Sequence, residues 1–445
     1  MTLARVSGYT PNRFPERGGQ AVVIGASIAG LLASRVLVDR FDRVILIEKD
    51  ELPNTATPRQ GTPQARHIHV LHRAGQVVIE DFLPGYGSDL LNAGAVEVDM
   101  ASDFEVYQSG DFIAHGPSEI IQFSASRPMF EYVARKHVTA FDGIRLREKC
   151  HFVEYTTDEH DTVTGVRYRE DGSESVLSAD LVVDATGRTS RTPRWLESQG
   201  YDAPEVEEVS IDLQYATVEV ARPPGDASTL LVLPDAPRKR GAAVFPVEHD
   251  RWLLTLAGMH GDHPPPDLEG FRAFAASLPI PDVNSRLEDD PLGNIREYPY
   301  PSSIRRRYQA VDQFPRGLVV MGDAIASFNP IYGQGMSVAA LQALALHRSL
   351  VSSRSPEVAH DFFPRAARII DDAWAIAVGS DFQFGETSGP KPRGTSITNR
   401  YVSRLVRKSH TDGKLADAFN RVVIMEKPPS SLFHPHIMWR VFTPF

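Results

Sequence analysis

An apolar strand, a glycine turn, a helix, a second apolar strand and a carboxylate follow one another near the start of the chain. Residues Ala21 to Gly25 form an apolar run that ends in glycine, and a helical apolar pattern begins at Leu31. A second apolar run, Val44 to Ile47, ends in Glu48. This order is typical of the first unit of a doubly wound α/β domain, whose parallel strands are joined through helices.

The first turn carries the sequence Gly25-Ala-Ser-Ile-Ala-Gly30, in which Ser27 replaces the second glycine of G-x-G-x-x-G. Glycine lets the backbone approach a pyrophosphate at the helix N-terminus, and a carboxylate after the next strand accepts hydrogen bonds from ribose hydroxyls. A turn that glycine shapes for purely structural reasons is the alternative for this segment alone. We predict that the nucleotide contacts Gly25, Ser27, Ile28, Ala29, Gly30, Glu48 and Lys49.

Two later segments repeat the pattern of a strand followed by glycine. The first contains Ala185-Thr186-Gly187, which is predicted to close a crevice over the nucleotide, although an ordinary strand and turn would look the same. In the second, Gly322 and Asp323 follow a strand, and such an aspartate can accept the hydroxyls of a ribityl chain.

A helix with glycines at its start follows Asp323. Gly333, Gly335 and Met336 are predicted to aim backbone N–H groups at the anionic edge of a reduced flavin, and Pro330 is predicted to lie among the cofactor contacts. Gly335 is expected to need a positive φ. Two glycine clusters separated by a proline favour this over a purely structural turn. The three segments together indicate FAD. No side chain is identified as catalytic, because the flavin itself would carry the chemistry.

Alternating apolar and polar residues from Phe104 to Phe123 and from Ile211 to Met259 predict one antiparallel sheet built from two insertions. The predicted fold is α/β: a discontinuous Rossmann-like FAD-binding domain, an inserted antiparallel β-sheet substrate domain and a C-terminal helical region. The ranges are 1–100, 126–200 and 301–380 for FAD, 101–125 and 201–300 for substrate, and 381–445 for the helical region and tail.

Charge and composition exclude several classes of function. The net charge of −10 disfavours nucleic acid, and the single cysteine, Cys150, permits no intrachain disulfide. No stretch approaches a membrane span and the first 20 residues lack the apolar core of a leader, so a cytoplasmic protein is expected. Arg305 to Arg307 are expected to pair with internal acids or to cap an element. His67 and His69 lack metal-ligand spacing, so packing or substrate contact is predicted and no metal.

These motifs resemble the FAD-dependent monooxygenases of the para-hydroxybenzoate hydroxylase type, group A-like, over nearly the whole chain. Arg59 to His69 and Phe328 to Gly335 look like the bacterial branch that contains the flavin epoxidases of polyether biosynthesis. The resemblance implies O2 as co-substrate, NAD(P)H as direct or indirect donor, and a flavin hydroperoxide that oxygenates the substrate. It also implies that Arg59 and Gln64 lie near the flavin and that Arg127 reaches the phosphate or ribityl region.

One departure from the family concerns the electron donor. The family's A-D-G motif, which binds both FAD and the nicotinamide donor, has Thr186 at its middle position here. A separate flavin reductase is therefore a possible partner. The halogenase signature W-x-W-x-I-P is absent, since Trp252 is followed by Leu-Leu-Thr.

Three functions stay open on the sequence. The first is a monooxygenase that epoxidises or hydroxylates a hydrophobic natural product; the second is a flavin reductase or dehydrogenase acting on isoprenoid double bonds. The third is a non-catalytic flavoprotein that binds a lipophilic ligand. Apolar and aromatic residues in the sheet insertions favour a lipophilic small molecule, namely Phe104, Tyr107, Phe123, Tyr215, Phe245, Trp252 and Met259.

Overall fold

The computed structural model describes residues 8–10, 18–352 and 357–443. Parts of the predicted ranges 1–100, 301–380 and 381–445, and most of the first 20 residues, lie outside them. The described strands are β1 Gln20–Ile24, β2 Arg43–Ile47, β3 Val96–Asp99, β4 Phe104–Gln108, β5 Asp111–Phe112, β6 Ile121–Ser124, β7 Ile144–Arg147, β8 His151–Thr157, β9 Val163–Glu170, β10 Ser173–Ser178, β11 Leu181–Asp184, β12 Val206–Ala221, β13 Thr229–Val232, β14 Arg240–Val247, β15 Arg251–Met259, β16 Arg296–Arg306, β17 Leu318–Val320 and β18 Ala326–Ser327.

The helices complete the fold. They are α1 Ile28–Leu37, α2 Arg73–Phe82, α3 Tyr86–Asn92, α4 Arg127–Thr139, α5 Thr192–Ser198, α6 Leu268–Ala276, α7 Asp282–Ser285, α8 Gly335–Ser352, α9 Val358–Asp381, α10 Thr395–Ser409, α11 Gly413–Val423 and α12 Pro435–Phe442. Short 3₁₀ turns lie at Pro63–Arg66, Tyr308–Ala310, Gly322–Ala324, Pro330–Tyr332 and Pro429–Phe433.

A five-stranded parallel sheet in the order β17-β11-β1-β2-β7 forms the centre of the nucleotide domain. Strands β1, β2, β11 and β17 are apolar along most of their length because both faces of the sheet are covered, as parallel sheets require. Helices α1 and α4 pack on one face, and α8 packs on α1. The predicted α/β fold with a discontinuous Rossmann-like domain is confirmed.

The opposite face of the parallel sheet is covered by a small sheet that the sequence analysis did not anticipate. Strands β8, β9 and β10 pair antiparallel, and Tyr155 and Val166 pack against Val22, Ile24 and Ile45 of the parallel sheet. The alternation in these strands is typical of a sheet with one face in solvent.

The second large sheet has eight strands in the order β18-β16-β12-β15-β14-β13-β4-β5. The prediction of one sheet assembled from two insertions is correct for β4 and β5, but β4 pairs parallel with β13, and β6 pairs with β3 in a separate sheet. No hairpin joins β4 to β13, so no turn imposes the antiparallel direction on them.

The C-terminal helices have a small core of their own, in which Tyr401, Leu405, Leu415 and Val422 are buried. The helical region is interrupted between α10 and α11, where Asp412 caps α11 by accepting hydrogen bonds from the Lys414 and Leu415 amides at 3.0 and 3.3 Å. Among the described residues, no helix is long and apolar enough to cross a membrane.

The three successive arginines at the end of β16 have the structural role expected of them. Arg305 and Arg307 both pair with Glu207 on β12 and with Asp371 on α9. Arg306 donates to the carbonyl oxygens of Ala324 and Arg188 at 2.9 Å each. The arginines therefore tie the large sheet to the nucleotide domain.

The contact between β1 and α1 generates the first prediction. A Cβ on Gly30 would lie 1.8 Å from the Gly25 carbonyl oxygen, whereas a Cβ on Gly335 would meet no heavy atom within 4 Å. We expect Gly30→Ala to lower the unfolding free energy of the FAD-free protein by about 1–3 kcal/mol, as overpacking does. Gly335→Ala should change it by less than about 0.5 kcal/mol. Urea denaturation of both apoproteins measures the difference, and equal stabilities would contradict this account of Gly30.

Candidate cofactor and substrate site

The structure brings the three glycine-containing segments together. Gly25 adopts φ +99°, and a Cβ there would lie 2.6 Å from the Ala185 carbonyl oxygen of the second segment. A Cβ on Gly322 of the third segment would lie 2.8 Å from the Ala29 Cβ. The backbones approach so closely because these positions lack side chains.

Glu48 fixes the backbone of the first turn through hydrogen bonds. Its side chain is buried, with Oε2 accepting from the Ala26 amide at 2.8 Å and Oε1 accepting from the Asp50 amide at 3.1 Å. Arg59 balances its charge at 3.3 Å. A role of this carboxylate in binding ribose stays a prediction, and the structure adds a positioning role for it.

A buried cluster of opposite charges surrounds the start of α1. Glu131 on α4 accepts from Arg59 Nε at 2.9 Å, from Arg127 at 3.0 Å and from the Ser27 hydroxyl at 3.0 Å. Arg127 also donates to the Ser27 hydroxyl at 2.6 Å, and Arg59 donates to Asp50. We call Ser27, Asp50, Arg59, Arg127 and Glu131 the turn cluster.

Electrostatics hold the turn cluster in its charged form. Burial by itself raises the pKa of Glu131, but Arg127 and Arg59 more than offset it, so the pKa lies below its usual range. Burial lowers the pKa of Arg59, and Glu131 and Glu48 outweigh it, so that pKa is raised. Two guanidinium groups are therefore fixed beside Ser27, where a pyrophosphate would approach.

Asp323 follows Gly322, whose backbone closely approaches Ala29 of the first segment. The Asp323 side chain is accessible to solvent, yet loss of hydration raises the pKa of its carboxyl despite the nearby Arg188 and Arg127. Thr186 and Gly335 are also accessible, and Gly335 has open space around it. These residues fit an FAD that passes from the turn cluster along Asp323.

The loop before α8 corrects the expectation of a positive φ at Gly335. The residue in the left-handed region is Gly333, with φ +63°, where a Cβ would lie 2.9 Å from the Val70 Cβ. His72 Nε2 donates to the Tyr332 carbonyl at 2.8 Å, and burial lowers the pKa of this imidazole. A neutral histidine thus fixes the loop.

Thr186 turns back towards its own strand. Asp184 Oδ1 accepts from the Thr186 amide at 2.8 Å and from its hydroxyl at 2.6 Å. Oδ2 accepts from the hydroxyls of Ser190 and Thr192, both at 2.5 Å. The carboxylate that organises this motif is therefore buried.

An apolar cavity of about 230 Å³ lies between the large sheet, the Pro330–Gly333 loop and the C-terminal helices. Of the aromatic residues selected from the sequence, Phe104, Tyr215 and Phe245 line it. Tyr107 and Trp252 instead pack in the core on the other side of the sheet, and Met259 is buried in the main core. Phe123 packs against the main core. The helices α10 and α11 contribute walls that the sequence analysis did not assign, through Val402 and Phe419.

Asp381 is a candidate functional residue that the sequence analysis missed. It ends α9 and is buried, with Oδ1 accepting from the Asn329 amide nitrogen at 2.7 Å and Oδ2 lacking a hydrogen-bond partner. Burial raises its pKa to about 7. Tyr332, which lines the cavity, lies beside this carboxyl and Ser380. The only sequence signal was an acid after the apolar stretch from Ala373 to Val378.

The remaining predicted residues occupy varied positions. His67 is buried 2.8 Å from the Thr217 hydroxyl with its pKa lowered by burial to about 4, which favours packing, and burial lowers the pKa of His69 to about 3. Gln64 is half-buried and Lys49 exposed, so their contacts with FAD stay predictions.

Within the described ranges, no group of three or more His, Cys, Asp or Glu side chains could hold a metal ion.

Comparisons with known proteins agree with this geometry. The family model described as FAD binding domain matches residues 19–355. Protein Rv3254 of Mycobacterium tuberculosis is 32% identical over 418 residues, covering 90% of this chain and 88% of that protein.

Two solved structures share the fold. PqsL of Pseudomonas aeruginosa, described as a probable FAD-dependent monooxygenase, is 19% identical with a TM-score of 0.59, covering 82% of this chain and 97% of that one. A flavoprotein/dehydrogenase from Cytophaga hutchinsonii is 14% identical with a TM-score of 0.66, covering 95% and 96%. At these identities the likeness concerns the fold alone.

The turn cluster generates the second prediction. Arg127→Gln removes a charged donor beside Ser27 and should weaken FAD binding by about 1.5–3 kcal/mol, roughly 10- to 150-fold. The double variant Arg127→Gln/Glu131→Gln removes the charge left in excess, so it should regain thermal stability relative to the single variant without regaining FAD affinity. Fluorescence titration of apoprotein with FAD and melting curves separate the two effects. FAD affinity equal to wild type in the single variant would show that Arg127 only positions Glu131.

Proposed function

Because the chain belongs to the FAD-binding family of the para-hydroxybenzoate hydroxylase type, we propose that it is a monooxygenase that epoxidises or hydroxylates a hydrophobic small molecule. The observation that carries the proposal is the apolar cavity, which ends at the Pro330–Gly333 loop directly before the N-terminus of α8, where FAD is proposed to bind. A substrate in this cavity and a flavin at this helix terminus would share that loop as their boundary.

The residues of the chain divide the work of holding FAD. Arg59 and Arg127 would neutralise the pyrophosphate, Asp323 would accept the ribityl hydroxyls, and the α8 N-terminus would face the anionic edge of the ring. When bound, FAD supplies the redox chemistry through which O2 is activated. The apolar walls formed by Phe104, Phe245 and Val402 exclude water from the reacting groups.

Asp381 and Tyr332 supply acid–base chemistry at one end of the cavity. A carboxyl whose pKa lies at about 7 is poised to gain or lose a proton at neutral pH. Tyr332 stands between it and the cavity and would relay that proton. Hydroxylation of an ionisable substrate uses such a pair, whereas epoxidation of an alkene does not require it. The pair therefore keeps hydroxylation, as well as epoxidation, within the proposed function.

The proposed electron supply is indirect. Thr186 occupies the position at which the family has a carboxylate. Its hydroxyl donates a hydrogen bond to Asp184. We infer that NAD(P)H is the ultimate donor and that a separate flavin reductase delivers the electrons.

The third prediction tests the oxygenation. The FAD-loaded protein, reduced chemically and exposed to ¹⁸O2 with lipophilic polyene and aromatic probes, should yield a product that contains ¹⁸O. Ala243→Phe places a ring in the cavity from β14 and should lower product formation at least about tenfold with unchanged FAD content. Val176→Phe, on the exposed strand β10, is the matched control.

Other outcomes of this experiment identify the rival functions. A product that has gained hydrogen and no ¹⁸O would show a reductase. Binding of a probe with no product, and with flavin reoxidation unaffected, would show a non-catalytic flavoprotein.

The fourth prediction concerns the donor. Anaerobic mixing of the oxidised protein with NADPH or NADH should bleach the flavin absorbance slowly, and addition of a flavin reductase should increase the rate of bleaching at least about tenfold. Stopped-flow absorbance at the flavin band measures both rates. Rapid bleaching by NADPH alone would overturn the indirect route while leaving the oxygenation proposal intact.

A further inference from the structure

The C-terminal helical region differs in charge from the rest of the molecule. Residues 381–443 contain ten Lys and Arg against five Asp and Glu, so this region carries +5 in a chain whose total is −10. Three of the acids are engaged with basic residues of the same region, since Asp412 pairs with Arg440, and Asp417 and Glu426 both pair with Arg421. The remainder of the surface is correspondingly more acidic.

The same region exposes large apolar side chains. Ile397, Trp439, Phe442 and Phe433 are exposed to 79%, 69%, 60% and 41%. Such an accumulation on a folded protein marks an interaction surface more often than chance exposure. We call these four residues the C-terminal apolar patch.

Contacts through Tyr401 join the patch into one surface. The Tyr401 ring stacks on Phe433 with centroids 4.8 Å apart and lies 6.0 Å from Phe442. Ile397 precedes Tyr401 by one helical turn on α10, and Trp439 precedes Phe442 by one turn on α12, so each shares a face with its neighbour.

The C-terminal helical region that carries the patch also carries basic side chains. The Arg404 guanidinium lies 5.9 Å from the Phe442 ring centroid. Arg400 follows Ile397 by three residues on α10, and Lys391, Arg393 and Arg400 are exposed. Apolar and aromatic residues beside exposed cations are the combination that binds the surface of an anionic bilayer.

The patch also adjoins the substrate cavity. Phe433 belongs to both, and the exposed Thr398 beside Ile397 lines the cavity as well. The cavity therefore approaches the molecular surface next to the patch.

We propose that the C-terminal apolar patch docks the protein on the surface of a bilayer containing anionic lipids. Trp439, Phe442 and Ile397 enter the interfacial region, and Lys391, Arg393 and Arg400 contact the headgroups. A second copy of the chain fits less well, because a two-fold contact through the patch would bring two regions of charge +5 together. Docking does not depend on the proposed oxygenation, although a lipophilic substrate could then enter the cavity from the bilayer.

Vesicle flotation of the FAD-loaded protein tests the proposal. We expect binding to phosphatidylcholine vesicles that contain phosphatidylglycerol, at least tenfold weaker binding to phosphatidylcholine alone, and loss of most binding at high salt. Vesicles with brominated acyl chains should quench part of the tryptophan fluorescence, because Trp439 is exposed whereas Trp252 and Trp374 are buried.

Surface variants identify the patch as the binding site. Trp439→Ser/Phe442→Ser and Arg393→Gln/Arg400→Gln should each reduce vesicle binding at least tenfold with unchanged FAD content and melting temperature. Val176→Ser/Leu292→Ser, at residues exposed to 57% and 56%, is the matched control and should bind like wild type. Absence of wild-type binding, or binding that both patch variants retain, overturns the proposal. A dimer in sedimentation analysis that the patch variants dissociate, without vesicle binding, would assign the patch to a second copy.

Discussion

The structure depends on the close approach of backbone segments around the first turn. Gly30 lets α1 pack on the Gly25 carbonyl, and Gly25 in turn meets the Ala185 carbonyl. A side chain at either position would separate β1, α1 and the β11 turn. The positions of the other site residues, including Asp323, depend on this close approach of the backbones.

Charge pairing fixes the side chains that lie beside the glycine turn. Glu131 holds Arg59 and Arg127 beside Ser27, so two cations are positioned before any phosphate arrives. Guanidinium groups positioned in advance lose less conformational freedom on binding than mobile side chains. An unpaired charge is costly in a buried site. The two arginines therefore need Glu131 as their counter-charge.

The cavity is assembled from segments that are far apart in the sequence. Phe245 comes from the large sheet, Tyr332 from the loop before α8 and Phe419 from α11. Asp381 lies 52 residues after Asn329 in the sequence and contacts that loop by accepting from the Asn329 side-chain amide. The C-terminal helices therefore contribute to the cavity wall, while their outer surface carries the apolar patch.

The sequence by itself determined the parallel sheet, the convergence of three segments and the family, because strand periodicity and glycine turns are local signals. Only the tertiary structure decided the parallel pairing of β4 with β13, the covering sheet β8 to β10, and the positive φ at Gly333 rather than Gly335. Strand partners, the walls of a cavity and the desolvation of Asp381 depend on which distant segments pack together, and local residue patterns do not contain that information.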